Sequence, residues 1–151
     1  MKNENKKHSN LLCDLQCKFW DLSPLFIRLG LAVVFIAHGY AKLTGLDGTA
    51  QFFGSIGIPA PGLMAPFVGG VEFFGGLAML LGIGTQVAGI LLACVMAVAL
   101  WTTKISAGQP LGRMELDLVM LAMSLSMAFN CAGKYSLDSV LFTGCKEGEC
   151  K

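Results

Sequence analysis

The sequence predicts an all-α membrane protein: a four-transmembrane-helix antiparallel bundle with a short interfacial helix between spans one and two. Apolar runs at residues 25–43, 63–82, 86–103 and 114–131 match the roughly 17 to 25 residues that a helix needs to cross a bilayer. Hydrophobic residues make up 54% of the chain and charged residues 14%, a balance too apolar for an ordinary soluble domain. Inside lipid the backbone must satisfy its own hydrogen bonds, so apolar runs of this length read as helices.

Residues 1–23 form a cytoplasmic, partly amphipathic N-terminal segment. Its first ten residues are polar and lead into an amphipathic stretch at 11–22 rather than the apolar core of a cleavable signal peptide. The first span is therefore expected to act as its own insertion signal. Residues 24–142 are the membrane domain. After span one, Gln51-Phe52-Phe53 precedes Ile58-Pro59-Ala60-Pro61, the pattern of a short amphipathic helix at the interface that is ended by proline and placed to cover a pocket. Spans two and three are joined only by Gly82-Ile83-Gly84-Thr85, so they must run antiparallel as a hairpin. Residues 143–151 are a cysteine-containing cytoplasmic tail.

Outside the spans, Lys2, Lys6, Lys7, Lys18, Lys134, Lys146 and Lys151 fall on the side of both termini, and Lys42, Lys104 and Arg113 fall opposite. This asymmetry puts both termini in the cytoplasm. Trp20 and Trp101 fall where amphipathic rings anchor at headgroup level. A net charge of +1 and the lack of a basic cluster with interleaved aromatics exclude nucleic acid as a partner.

Charges within spans are costly, about 2.5 to 3.5 kcal/mol each at the centre of a helix, so they mark partners, cavities or ligands. At about 1.5 Å per residue, Lys42 lies at a depth of about 2 Å, His38 about 8 Å, Glu72 about 14 Å and Arg28 about 22 Å. Arg28, His38 and Lys42 share one side of span one, which is expected to point inward. Glu72 sits in a ridge with Gly69 and Gly76, where another helix can approach closely. Span four adds Glu115 and Asp117 at the outer level and Asn130 near the level of Arg28.

Two readings stay open for this set. Arg28 and Glu72 are either a structural ion pair fixing helix register or part of a ligand site. His38 is either a proton relay or ligand-binding base, or a hydrogen-bonded structural histidine. As a functional site, His38 and Glu72 are the catalytic candidates, with Arg28, Lys42, Glu115, Asp117 and Asn130 binding the ligand. Lys42, Glu115 and Asp117 read equally as a solvated rim.

Cys13 and Cys17 precede span one, and Cys145 and Cys150 follow span four, so the predicted topology brings them to one side of the membrane. Four thiolates can bind zinc or an iron–sulfur cluster, although C-x3-C and C-x4-C are not the usual tight spacings. Free reduced cysteines or a redox-active pair are the alternatives, and the opposite orientation would favour disulfides. The first two thiols also share a face with Trp20, which lets them help residues 11–22 lie on the membrane. Met120, Met123 and Met127 form a stripe on span four that reads as packing rather than soft-metal transport.

From residue 25 to residue 142 the chain resembles the DoxX family of small bacterial and archaeal membrane proteins. The resemblance rests on Arg28-Leu29-Gly30-Leu31, on Phe35-Ile36-Ala37-His38-Gly39-Tyr40-Ala41-Lys42-Leu43, and on the stretch from Phe53 with its Gly57-Ile58-Pro59. It continues through Val71-Glu72-Phe73-Phe74-Gly75-Gly76, Leu80-Leu81-Gly82-Ile83-Gly84-Thr85 and Gly133-Lys134-Tyr135-Ser136-Leu137-Asp138. Gln86 departs from the arginine common after the turn, and the cysteine-bearing ends lie outside the pattern. The resemblance implies a four-helix membrane bundle in the inner membrane and, for the best-known members, a subunit of thiosulfate:quinone oxidoreductase or of a terminal quinol oxidase.

The resulting expectation is a membrane redox subunit that binds quinone at Arg28, His38 and Glu72. Its electrons would come from a partner subunit, a centre at the terminal cysteines or substrate thiols. A non-enzymatic small-solute transporter, or a scaffold anchoring a redox partner, is the alternative. Contact with lipid is common to all of these, and a homo-oligomer is compatible with each.

Overall fold

A computed structural model describes residues 22–105, 114–130, 132–133 and 135–141 of the chain. Among the described residues the regular elements are helices: α1 (Leu22–Thr44), α2 (Leu46–Ser55), α3 (Pro61–Leu81), α4 (Thr85–Ala99), α5 (Glu115–Phe129) and α6 (Leu137–Leu141). The all-α membrane fold read from the sequence is the one observed. Three helices have the length and composition to cross a bilayer: α1, α3, and α4 with its continuation to Thr103, at 23, 21 and 19 residues. The fourth predicted span coincides with α5, whose 15 residues extend only about 22 Å. Spanning length is therefore not reached within α5, and its neighbours 106–113 and 131 lie outside the described residues.

Glycine contacts set the pairing of the helices. A Cβ on Gly39 of α1 would lie 2.7 Å from Phe73 Cα and 2.9 Å from the Gly69 carbonyl of α3, and one on Gly76 would lie 2.9 Å from the Ile36 nitrogen. Rising numbers on α1 meet falling numbers on α3, so the two run antiparallel with backbones in contact. Gly89 brings α4 onto α5 in the same way, its absent Cβ being 2.8 Å from the Ala128 nitrogen and 2.9 Å from the Ser124 carbonyl. Between the pairs, Leu31 and Phe35 of α1, Met79 of α3, Leu92 of α4 and Met120 and Met127 of α5 form the buried core. The methionine stripe thus lies in packing, with Met123 against its edge.

The connections follow from local chemistry. The short helix expected between spans one and two is α2, which packs against α3 and buries Phe53. It ends at Ser55, ahead of the prolines, where Gly57 takes φ 79°. Pro61 opens α3, at a position where a missing N–H leaves no hydrogen bond unmade. The α3–α4 turn requires two left-handed residues, which Gly82 (φ 72°) and Gly84 (φ 56°) supply. Beyond Ala99, α4 widens into a π-helical turn, Leu100–Ile105.

Candidate functional site

The intramembrane charges separate into two groups at opposite ends of α1. Near its start, Arg28 is 2% exposed and extends its guanidinium into backbone carbonyls. Nε donates to Met79 O at 2.9 Å and Nη2 to Leu80 O at 3.2 Å, both in the last turn of α3. Nη1 donates to Ala132 O at 3.1 Å and Tyr135 O at 2.8 Å, in the chain that follows α5. Four of its five N–H groups are thereby engaged, two of them on carbonyls that the end of α3 would otherwise leave unpaired. Gly82 stands so close that a Cβ there would strike the guanidinium.

Asp138 completes that end. Its Oδ1 accepts the Gly84 N–H at 2.8 Å, and its Oδ2 accepts the Thr85 N–H at 3.2 Å and the Thr85 hydroxyl at 3.4 Å. A residue far along the chain therefore serves as the N-cap that α4 lacks locally. Asp138 and Thr85 were not singled out as site residues from the sequence. The signal was available, since both lie in the motifs that carry the family resemblance.

Toward the other end of α1, Lys42 Nζ forms an ion pair with Glu72 Oε2. The Glu72 side chain is 6% exposed and that of Lys42 24%, so the pair is buried on the glutamate side and half-buried on the lysine side. Glu72 thus pairs with Lys42, and the Arg28–Glu72 ion pair weighed from the sequence is not formed. The reason is helix register: Gly39 packs between Gly69 and Phe73, which brings Glu72 to about the level of His38 and far from Arg28.

His38 is exposed on α1 and forms no hydrogen bond or ion pair among the described residues. Asp117 is half-buried and Glu115 exposed at the start of α5. Asn130 stays with its own helix, its Nδ2 donating to Ser126 O at 2.7 Å. Cys13, Cys17, Cys145 and Cys150 lie outside the described residues. Among the described residues, no group of three or more His, Cys, Asp or Glu side chains is placed to hold a metal.

On the face of α3 opposite Glu72, an open apolar groove of about 600 Å³ runs between α3 and α4, walled by Phe67, Phe74, Val87 and Leu91. It holds none of the charged residues above. Toward the end of α1 the polar groups are the Lys42 ammonium paired with the Glu72 carboxylate and, one turn before Lys42, the imidazole of His38.

The DoxX family model matches residues 23–105. A Bacillus subtilis protein named "Putative oxidoreductase CatD" is 34% identical over 131 residues, covering 87% of this chain and 96% of the relative. The Escherichia coli inner membrane protein YqjF is 31% identical over 126 residues, 82% of this chain and 95% of the relative. A membrane protein of Mycobacterium tuberculosis is 34% identical over 130 residues, 77% of this chain and 79% of the relative. No solved structure matches the chain.

Proposed function

This chain belongs to the DoxX family, and from that premise we propose that it is an integral membrane redox subunit whose Lys42, Glu72 and His38 receive the head group of a quinone. The observation that carries this reading is the half-open ion pair. A lysine and a glutamate are held between two membrane helices with one partner still accessible, and an unpaired histidine lies one turn away. The oxidoreductase name of the Bacillus subtilis relative agrees with a redox setting.

The donor set fits the group. Lys42 has three N–H donors, of which Glu72 takes one, leaving others for a carbonyl oxygen. Quinone, when bound, supplies carbonyl oxygens that accept protons as electrons arrive. At those atoms His38 can give or take a proton, Glu72 can hold one, and the Lys42 ammonium offsets developing negative charge. Arg28 has no part in this, because its donors are committed to carbonyls at the opposite end. Electrons come from a partner subunit or from substrate thiols. The chain sits in the cytoplasmic membrane with both termini on the cytoplasmic side, as the lysine distribution supports.

A second reading, a scaffold anchoring a redox partner, is favoured by the structural use of Arg28. One experiment separates the two. Purification from native membranes followed by solvent extraction is expected to yield bound quinone that is lost in Glu72→Gln. Absence of quinone, together with a co-purifying redox protein retained by Glu72→Gln, would overturn the quinone reading in favour of the scaffold.

A further inference from the structure

Leu31 and His38 lie seven residues apart on α1, two turns and so only about 20° apart around the helix. They nevertheless have opposite surroundings: Leu31 is fully buried and His38 is exposed. One face of α1 is thus packed against the bundle near its middle and left uncovered by protein toward its end. Lys42, one turn beyond His38, is half-buried, more accessible than its partner Glu72.

Below that level the interior is apolar. From Glu72 to Gly82 is about 15 Å along α3, and this distance is filled by Leu31, Phe35, Met79, Leu92 and Met127. At Gly76 the backbones of α1 and α3 are too close for even a methyl group between them. The single exception is the Ser124 hydroxyl, fully buried and without a hydrogen-bond partner among the described residues. Beneath the plug, Arg28 ties the end of α3 to the chain after α5, and Ser136 packs against Gly82. Among the described residues, neither the plug nor this closure leaves a chain of polar side chains leading from Glu72 to the Arg28 end.

We propose that the Lys42–Glu72 pair lies in a blind recess, which exchanges water, protons and polar ligands with one membrane face alone, the face on which α1 ends. Whatever binds there enters and leaves by the same opening beside His38. The chain is therefore not a through-path for polar solutes. The inference concerns access and stands apart from the identity of the ligand.

The test is thiol labelling of the full chain in liposomes. All six native cysteines are replaced by serine, and His38→Cys, Ser124→Cys or Leu137→Cys is added singly. Leu137 is exposed at the Arg28 end and reports that face. A charged, membrane-impermeant maleimide is applied from outside or trapped inside. His38→Cys is expected to react only from the face opposite to the one that labels Leu137→Cys. Ser124→Cys is expected to react at least about 100-fold more slowly from either face, since a charge does not enter an apolar helix interior readily. Leu31→Cys replaces Ser124→Cys if the latter fails to elute as a folded protein. Labelling of His38→Cys from both faces, from the Leu137 face or from neither would overturn the proposal, as would rapid labelling of the interior position. These outcomes are read without quinone, so failure here leaves the ligand assignment to its own experiment.

Discussion

Arg28 and Asp138 secure opposite poles of a single turn. The guanidinium holds the last carbonyls of α3 at Met79 and Leu80, and the carboxylate holds the first N–H groups of α4 at Gly84 and Thr85. Each charge meets the helix end whose dipole it complements, the cation at a C-terminus and the anion at an N-terminus. The Asp138 N–H returns to Gly82 O at 2.9 Å, so the segment bearing the anion is itself pinned to the turn. A costly intramembrane arginine is thereby compensated by backbone and needs no direct carboxylate partner.

Removing that cation should damage the fold before it damages any activity. Arg28→Ala leaves four carbonyls without their donor, with an expected loss of about 3 kcal/mol or more. Arg28→Lys should recover only part of this, because an ammonium on a flexible stem cannot reproduce the planar fork that reaches both α3 and the post-α5 chain. Thermal unfolding in detergent reads both variants. A melting temperature unchanged in Arg28→Ala would show that the clamp contributes nothing.

For Asp138 the expected effect is smaller and depends on chemistry. Asp138→Ala removes an N-cap and should cost about 1 kcal/mol, while Asp138→Asn keeps an acceptor and should cost a few tenths. Because Arg28 and Asp138 grip the same turn, the loss in Arg28→Ala/Asp138→Ala should be less than the sum of the singles. Strict additivity in the same unfolding measurement would mean that the two act on separate elements.

The Lys42–Glu72 pair yields to a double replacement. Either single change, Lys42→Met or Glu72→Gln, leaves one polar group buried without its partner and should destabilise by about 3 kcal/mol at most, less for the neutral glutamine. Lys42→Met with Glu72→Leu should regain most of that stability, since apolar pairs of similar volume replace buried ion pairs well. If the pair serves a ligand, the double variant is folded and has lost quinone retention. Full retention in a folded double variant would reduce the pair to a lock between α1 and α3.

Three of the four expected spans were legible because length and apolarity are properties of single segments. The glycine ridge around Glu72 was legible from its spacing, and it is where α1 lands. The partner of Glu72 was not, because depth counted from the ends of two helices ignores their stagger, which Gly39 sets by docking between Gly69 and Phe73. Nor could the role of Arg28 be read from side-chain complementarity. Its acceptors are carbonyls, carried by every residue alike, and only the fold decides which are left unpaired. Asp138 belongs to the same class, a cap 54 residues from the helix end it serves.

Two glycines in α1 and α3 should respond to alanine with opposite signs. At Gly39 a methyl group would press on backbone atoms of Phe73 and Gly69, which cannot give way as a side chain would. Gly39→Ala must therefore separate α1 from α3, with an expected loss of about 1 to 3 kcal/mol. Gly70 is also helical but has nothing within 4 Å of its would-be Cβ. There alanine only restricts the unfolded chain and shields the backbone, so Gly70→Ala should gain about 0.5 to 1 kcal/mol. Because Glu72 is positioned by the Gly39 contact, Gly39→Ala should also weaken quinone retention, whereas Gly70→Ala should leave it intact. Parallel unfolding and extraction of the two variants decide the matter. Equal stability in both would mean that the close α1–α3 approach does not position Glu72 at all.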